Sequence, residues 1–111
     1  MTSNSDTQST FIFQRITIIG IGLIGSSFSR ALKSKAGLVE EIIATDSDKD
    51  NLAKASDLGI VDTICDDINE AVSRSDCVIL CTPIGTYEKI VKQIAPSLPA
   101  GCVLSDVGSV K

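Results

Sequence analysis

Between Arg15 and Leu32 the chain reads RITIIGIGLIGSSFSRAL, and this stretch restricts the possible folds more than any other. Ile16, Thr17, Ile18 and Ile19 form a β-branched run, the composition of a strand buried on both faces of a parallel sheet. Gly20, Gly22 and Gly25 follow at once in the spacing G-x-G-x-x-G. Leu23, Ile24, Phe28, Ala31 and Leu32 then recur at helical spacing, so a strand passes straight into a helix. Gly20 permits the tight turn, Gly22 leaves the backbone open to a pyrophosphate, and Gly25 lets helix and strand pack closely. The first amides of such a helix lack intrahelical partners and sit at the positive end of its dipole, which suits a phosphate. The spacing alone is a weak signal. It gains weight from the strand before it, the helix after it, and an acidic residue about 20 positions on, here Asp46. The bland alternative is a glycine-rich turn that only packs the unit together.

The alternation continues along the chain. Apolar patterning predicts strands at 16–19, 40–45, 60–64, 76–82 and 102–106. Helices are expected from the glycine turn to about Ser34, from the Asp46/Asp48 pair to a stop at Gly59, at 68–74, and at 87–98, closed by Pro96 and Pro99. Strand–helix alternation of this kind predicts an α/β, doubly wound parallel sheet. Its expected strand order is 3-2-1-4-5, with a ligand crevice between the C-terminal ends of strands one and four. Residues 1–12 read as a disordered tail, polar as far as Thr10, and residues 13–111 as the domain. Phe11, Ile12 and Phe13 would lead into the first strand and cap the bottom of the sheet. Nothing remains after the fifth strand to build a sixth, so the sheet looks truncated there, with an open edge.

Composition excludes several classes. The net charge is -4 without a basic cluster, which argues against a nucleic-acid or anionic-membrane partner. No apolar run reaches the roughly 18 residues of a membrane span, and the polar N-terminus does not read as secretory. A cytoplasmic location is the expectation. Cys65, Cys77, Cys81 and Cys102 show no C-x-x-C spacing, and the chain has no histidine, so no metal site is expected. Cys77 and Cys81 would lie about 13 Å apart along one strand face, too far for a disulfide. All four read as buried small apolar side chains.

Three further places could carry chemistry. Asp46, after the second strand, is placed to accept both hydroxyls of an adenosine ribose, and its charge would repel a 2′-phosphate. No arginine follows at 47–51 and Lys49 is the nearby cation, which favours NAD over NADP. The alternative for Asp46 is a helix N-cap shared with Asp48. Thr82 and Pro83 end the fourth strand across the crevice from the glycine turn, where their backbone would line the nicotinamide ribose or merely terminate the strand. In the final stretch at 106–111, Gly108 permits close approach and Ser109 offers a hydroxyl beside the expected nicotinamide position. Lys111 would meet an anionic substrate or simply be solvated.

The segments GIGLIGSS (20–27), TD (45–46), CTPIG (81–85) and above all DVGSVK (106–111) resemble the prephenate dehydrogenase family, which includes arogenate and cyclohexadienyl dehydrogenases. The resemblance spans nearly the whole chain after residue 12. It implies a Rossmann-like dinucleotide-binding domain and NAD(P)-dependent oxidative decarboxylation of prephenate or arogenate in tyrosine biosynthesis. Carried over by motif, it places Gly20, Gly22, Leu23, Ile24 and Gly25 at the pyrophosphate, Asp46 at the ribose, and Thr82 and Pro83 near the cofactor. Ser109 becomes the catalytic hydroxyl that orients substrate and a catalytic histidine. That histidine and the helical C-terminal domain through which the family dimerises are absent from these residues. The 111 residues alone are therefore expected to be inactive. Two other readings are another NAD-dependent dehydrogenase of the hydroxyacid type and a non-catalytic NAD-sensing module.

Overall fold

A computed structural model describes residues 12–106. Five parallel strands, β1 (Phe13–Ile19), β2 (Val39–Thr45), β3 (Thr63–Ile64), β4 (Cys77–Leu80) and β5 (Val103–Asp106), form one sheet in the order β3-β2-β1-β4-β5. Both the order and the parallel pairing match the sequence-based expectation. Each crossover carries a helix: α1 (Leu23–Lys33), α2 (Lys49–Leu58), α3 (Ile68–Ser73) and α4 (Tyr87–Ile94).

The two-residue period of β1 divides the core. Ile16 and Ile18 face one side, with Ile42, Ala44, Cys77 and Ile79 from the neighbouring strands; Phe28 of α1 and Leu52 and Ala55 of α2 cover them. Ile19, Val78 and Leu80 face the other side, beneath Val72 of α3 and Ile94 of α4. Thr17 is fully buried, and its hydroxyl bonds the Ala71 carbonyl and the Ser75 hydroxyl, which satisfies it. The order of strand addition reverses between β1 and β4, because the chain adds β2 and β3 on one side of β1 and then crosses to add β4 and β5 on the other. A crevice opens at that switch point.

Several boundaries differ from the sequence-based ones for identifiable reasons. β1 begins at Phe13 rather than at residue 16, because Phe13 and Arg15 already pair with Val39 and Glu41 of β2, and the two Asp76 carboxylate oxygens each accept one of the Gln14 and Arg15 amides at 2.9 Å. Side-chain patterning carries no trace of that clamp. β3 shrinks to Thr63–Ile64, since Ile60 and Val61 are buried as core packing outside the ladder. α4 ends at Ile94 and continues as a 3-10 turn over Ala95–Ser97, because Pro96 has no amide to donate. Ile12 does not cap the sheet: it is 71% exposed, whereas Phe13 packs against the core. Phe11 and the polar tail lie outside the described residues.

The cysteine expectation needs correcting too. Cys77 is buried, whereas Cys65, Cys81 and Cys102 are only half-buried, and all four are free thiols. β4 ends at Leu80, so Cys81 lies past the ladder rather than on it.

Candidate functional site

Strand register brings the site together. Ile19 pairs with Thr45 of β2 and with Leu80 of β4, so residues 20, 46 and 81–82 emerge side by side at the C-terminal edge of the sheet. Gly20 turns there with φ +93°, a left-handed conformation that side chains rarely adopt. Its amide donates to the Thr45 carbonyl at 2.8 Å, and a Cβ on it would lie 2.8 Å from the Thr82 methyl. A methyl on Gly25 would overlap the Gly20 carbonyl oxygen. The first turn of α1 therefore presses directly on the glycine turn, the close packing expected of that position. Gly22 differs: a Cβ there meets nothing within 4 Å, so its missing side chain leaves open space in front of the backbone.

That space faces the start of α1. Gly22 is the N-cap residue and makes no side-chain cap bond, and the first turn carries no acidic residue. α2 and α3 are instead capped by the carboxylates of Asp48 and Asp67. The amides of Leu23, Ile24 and Gly25 thus form a cradle that an anion can occupy without displacing a cap.

Asp46 stands half-buried beside the turn. Its Oδ2 accepts the Ile21 amide at 2.8 Å and its Oδ1 accepts the Asp48 amide at 2.8 Å. The shared-cap alternative therefore divides between two residues: Asp48 caps α2 by accepting the Asp50 amide, and Asp46 ties the glycine turn to the end of β2. A carboxylate has about four acceptor positions, so these bonds leave capacity for a ligand hydroxyl. The Asn51 amide also reaches Oδ2, at 3.4 Å.

A cleft of about 440 Å³ opens over this edge, with Gly20, Asp46, Thr82 and Pro83 among its walls. Ile68 of α3 and Ile90 of α4 supply apolar surface, while Thr86 and Lys89 add a hydroxyl and an ammonium. Burial pushes the Cys81 thiol up to about 11, so beside the turn it is an unreactive packing group. Among the described residues, no three His, Cys, Asp or Glu side chains are grouped to hold a metal ion.

Gly20, Gly22, Gly25, Asp46, Thr82 and Pro83 are thus gathered at one edge, with the backbone of Leu23 and Ile24. Ser109 and Lys111 lie outside the described residues. Sequence reasoning missed Asn51, Thr86 and Lys89. Lys89 reaches the cleft from α4, far in sequence from the 47–51 window beside Asp46, a neighbour that no local spacing reveals.

A family model described as prephenate dehydrogenase, nucleotide-binding domain, matches residues 28–111. The chain is 36% identical over 102 residues to the cyclohexadienyl dehydrogenase of Zymomonas mobilis, covering 90% of this chain and 34% of that protein. It is 37% identical over 100 residues to the prephenate dehydrogenase of Lactococcus lactis, covering 88% of this chain and 27% of the relative. Among solved structures, prephenate dehydrogenase from A. aeolicus in complex with hydroxyphenyl propionate and NAD+ matches with a TM-score of 0.76 and 28% identity, over 84% of this chain and 32% of that one. Arogenate dehydrogenase from Synechocystis shares the fold, with a TM-score of 0.75 at 24% identity over 84% of this chain and 32% of that one. The chain spans about a third or less of the length of these relatives. Among the described residues, no helix is long and apolar enough to cross a membrane.

Proposed function

Because this chain belongs to the prephenate dehydrogenase family through its nucleotide-binding domain, we propose that it is the NAD-binding part of a cytoplasmic enzyme that oxidatively decarboxylates prephenate or arogenate in tyrosine biosynthesis. The observation that carries this reading is the glycine turn, seated between Asp46 and Thr82 with open space at Gly22. The amides of Leu23, Ile24 and Gly25 hold the pyrophosphate, charge against dipole, without a side-chain cap to displace. Asp46 accepts a hydroxyl of the adenosine ribose with its remaining acceptor position. Its negative charge opposes a 2′-phosphate, which supports NAD over NADP although Lys89 lines the same cleft. Thr82 and Pro83 bound the cofactor from the β4 side.

Bound NAD supplies the hydride acceptor: the substrate loses a hydride and carbon dioxide, and its ring becomes aromatic. Ser109, taken from the resemblance, would orient substrate at that ring. The chain contains no histidine, and it spans about a third or less of its relatives. We therefore assign substrate discrimination, the proton-handling histidine and homodimerisation to parts of the enzyme outside these residues, and expect no turnover of prephenate by them alone.

Calorimetric titration of the chain with NAD and NADP, with Asp46→Asn as the variant, tests the cofactor assignment. NAD binds saturably and more tightly than NADP. The variant loses roughly 10- to 100-fold in NAD affinity, the scale of a charge-assisted hydrogen bond, and the gap to NADP narrows. A parent that is folded by circular dichroism yet binds neither nucleotide would refute the proposal.

A further inference from the structure

α3 is six residues long, too short to hold itself in place, so its position depends on what ties it to its neighbours. Buried Ala71 and Val72 seat it on the sheet. Toward α4 the tie is polar. The Asn69 side-chain nitrogen lies 2.9 Å from the Gln93 carbonyl and 2.9 Å from the Ser97 hydroxyl. A backbone carbonyl only accepts, so the group facing it is the NH2, and its two protons serve the two contacts. Gln93 stands in the last turn of α4, which Pro96 ends, where helix carbonyls need partners from outside the helix. One side chain thus bridges the two helices. The same helices wall one part of the cleft. Ile68, next to Asn69, lines it from α3, while Ile90 and Gln93 line it from α4. Apolar surface on two separate elements suits a flat ring better than a phosphate or a sugar. How closely it fits such a ring depends on the separation of α3 and α4.

We propose that Asn69 is a positioning residue that sets the separation of α3 and α4, and through it the preference of the cleft among nucleotide bases. The inference rests on the dinucleotide assignment above. It concerns how the cleft selects a base, and it adds no contact to the ribose or the pyrophosphate.

Titrations of the full chain with ADP and UDP test it in the parent, in Asn69→Asp and in Asn69→Ala. The two probes share ribose and pyrophosphate, so the ratio of their affinities reports the base alone. In the parent ADP binds roughly three- to tenfold more tightly than UDP, because a purine buries more apolar surface than a pyrimidine. Asn69→Asp keeps the shape of the side chain but has no proton to donate, and a carboxylate in the first turn of α3 suits the helix dipole, so the fold is kept. Asn69→Ala removes the bridge altogether. In both variants ADP weakens roughly three- to tenfold, the scale of one net hydrogen bond, while UDP changes little, and the ratio falls to about twofold or less. A parent ratio retained in Asn69→Asp overturns the proposal. So does an equal loss for both probes, the mark of a merely structural role, and so does a parent that binds both alike. A folded parent that binds neither these probes nor NAD removes the dinucleotide assignment itself, a result distinct from any change in the ratio.

Discussion

Replacing Gly22 by alanine separates the packing role of the glycine turn from its role toward a ligand. Gly22 has φ -66°, within reach of any residue, and a Cβ there meets nothing within 4 Å. The folded chain should therefore accept the methyl. Alanine stiffens the unfolded state by about 0.4–1 kcal/mol. Against that stands a loss of about 0.5–1 kcal/mol at an N-cap position, where glycine ranks well above alanine. The net change in stability is within about 0.5 kcal/mol. The methyl nevertheless fills the approach to the α1 amides, and overpacking of a close contact costs about 1–3 kcal/mol, roughly 5- to 150-fold in affinity. Gly25→Ala is the contrasting case. Its methyl meets the Gly20 carbonyl, a rigid backbone atom, so folding stability itself falls by about 1–3 kcal/mol or more. Urea denaturation reads the first quantity and calorimetry with NAD the second. If Gly22→Ala binds NAD as tightly as the parent, the pyrophosphate does not lie against this turn and the reasoning fails.

Three further outcomes follow from other parts of the molecule. Asp76→Asn leaves one of the Gln14 and Arg15 amides facing an NH2 group; because both bonds are exposed, a loss of about 0.5–1.5 kcal/mol, the net scale of one hydrogen bond, is expected in urea denaturation. NAD affinity should stay unchanged, because that clamp sits at the opposite end of β1 from the glycine turn. Burial raises both Cys77 and Cys81 from 9.0 to about 11, with Cys102 and Asp76 adding to the effect at Cys77. Iodoacetamide at pH 8 should therefore label Cys81 in the native chain on the order of 100-fold more slowly than in urea, as followed by mass spectrometry. The folded state holds these thiols protonated, so their contribution to stability is intact below about pH 9 and declines as pH rises toward 11. Asp62 behaves oppositely. Burial would raise its pKa, but the Lys33 ammonium and the Ile42 amide outweigh that and hold it below the ordinary value. Its contribution is present above that ordinary value and is lost on acidification below it; an acid titration of Lys33→Ala, read by circular dichroism, should show a smaller loss than the parent.

Asp46 links stability and recognition in one carboxylate. Because it accepts the Ile21 amide, a substitution there loosens the turn that positions the α1 amides as well as removing a ribose acceptor. The NADP-to-NAD affinity ratio is thus a better reporter of its electrostatic role than NAD affinity alone.

Much was legible in the residues themselves. The β-branched run at 16–19, the G-x-G-x-x-G spacing and the repeated switch between strand and helix periods dictated the parallel sheet and its order. Each is a local constraint on φ, ψ and side-chain direction, and crossover handedness leaves few arrangements of the resulting units. The glycine roles were legible for the same reason, since a left-handed φ at Gly20 and contact without a Cβ at Gly25 are demands of the backbone. The Asp76 clamp at the start of β1, the division of labour between Asp46 and Asp48, and the convergence of Thr86 and Lys89 on the cleft beside Gly20 were decided only by tertiary structure. They bring together residues up to 69 positions apart, since Gly20 and Lys89 line one cleft. They exist because strand register sets Ile19 level with both Thr45 and Leu80, and register is a property of the assembled sheet, not of any segment within it.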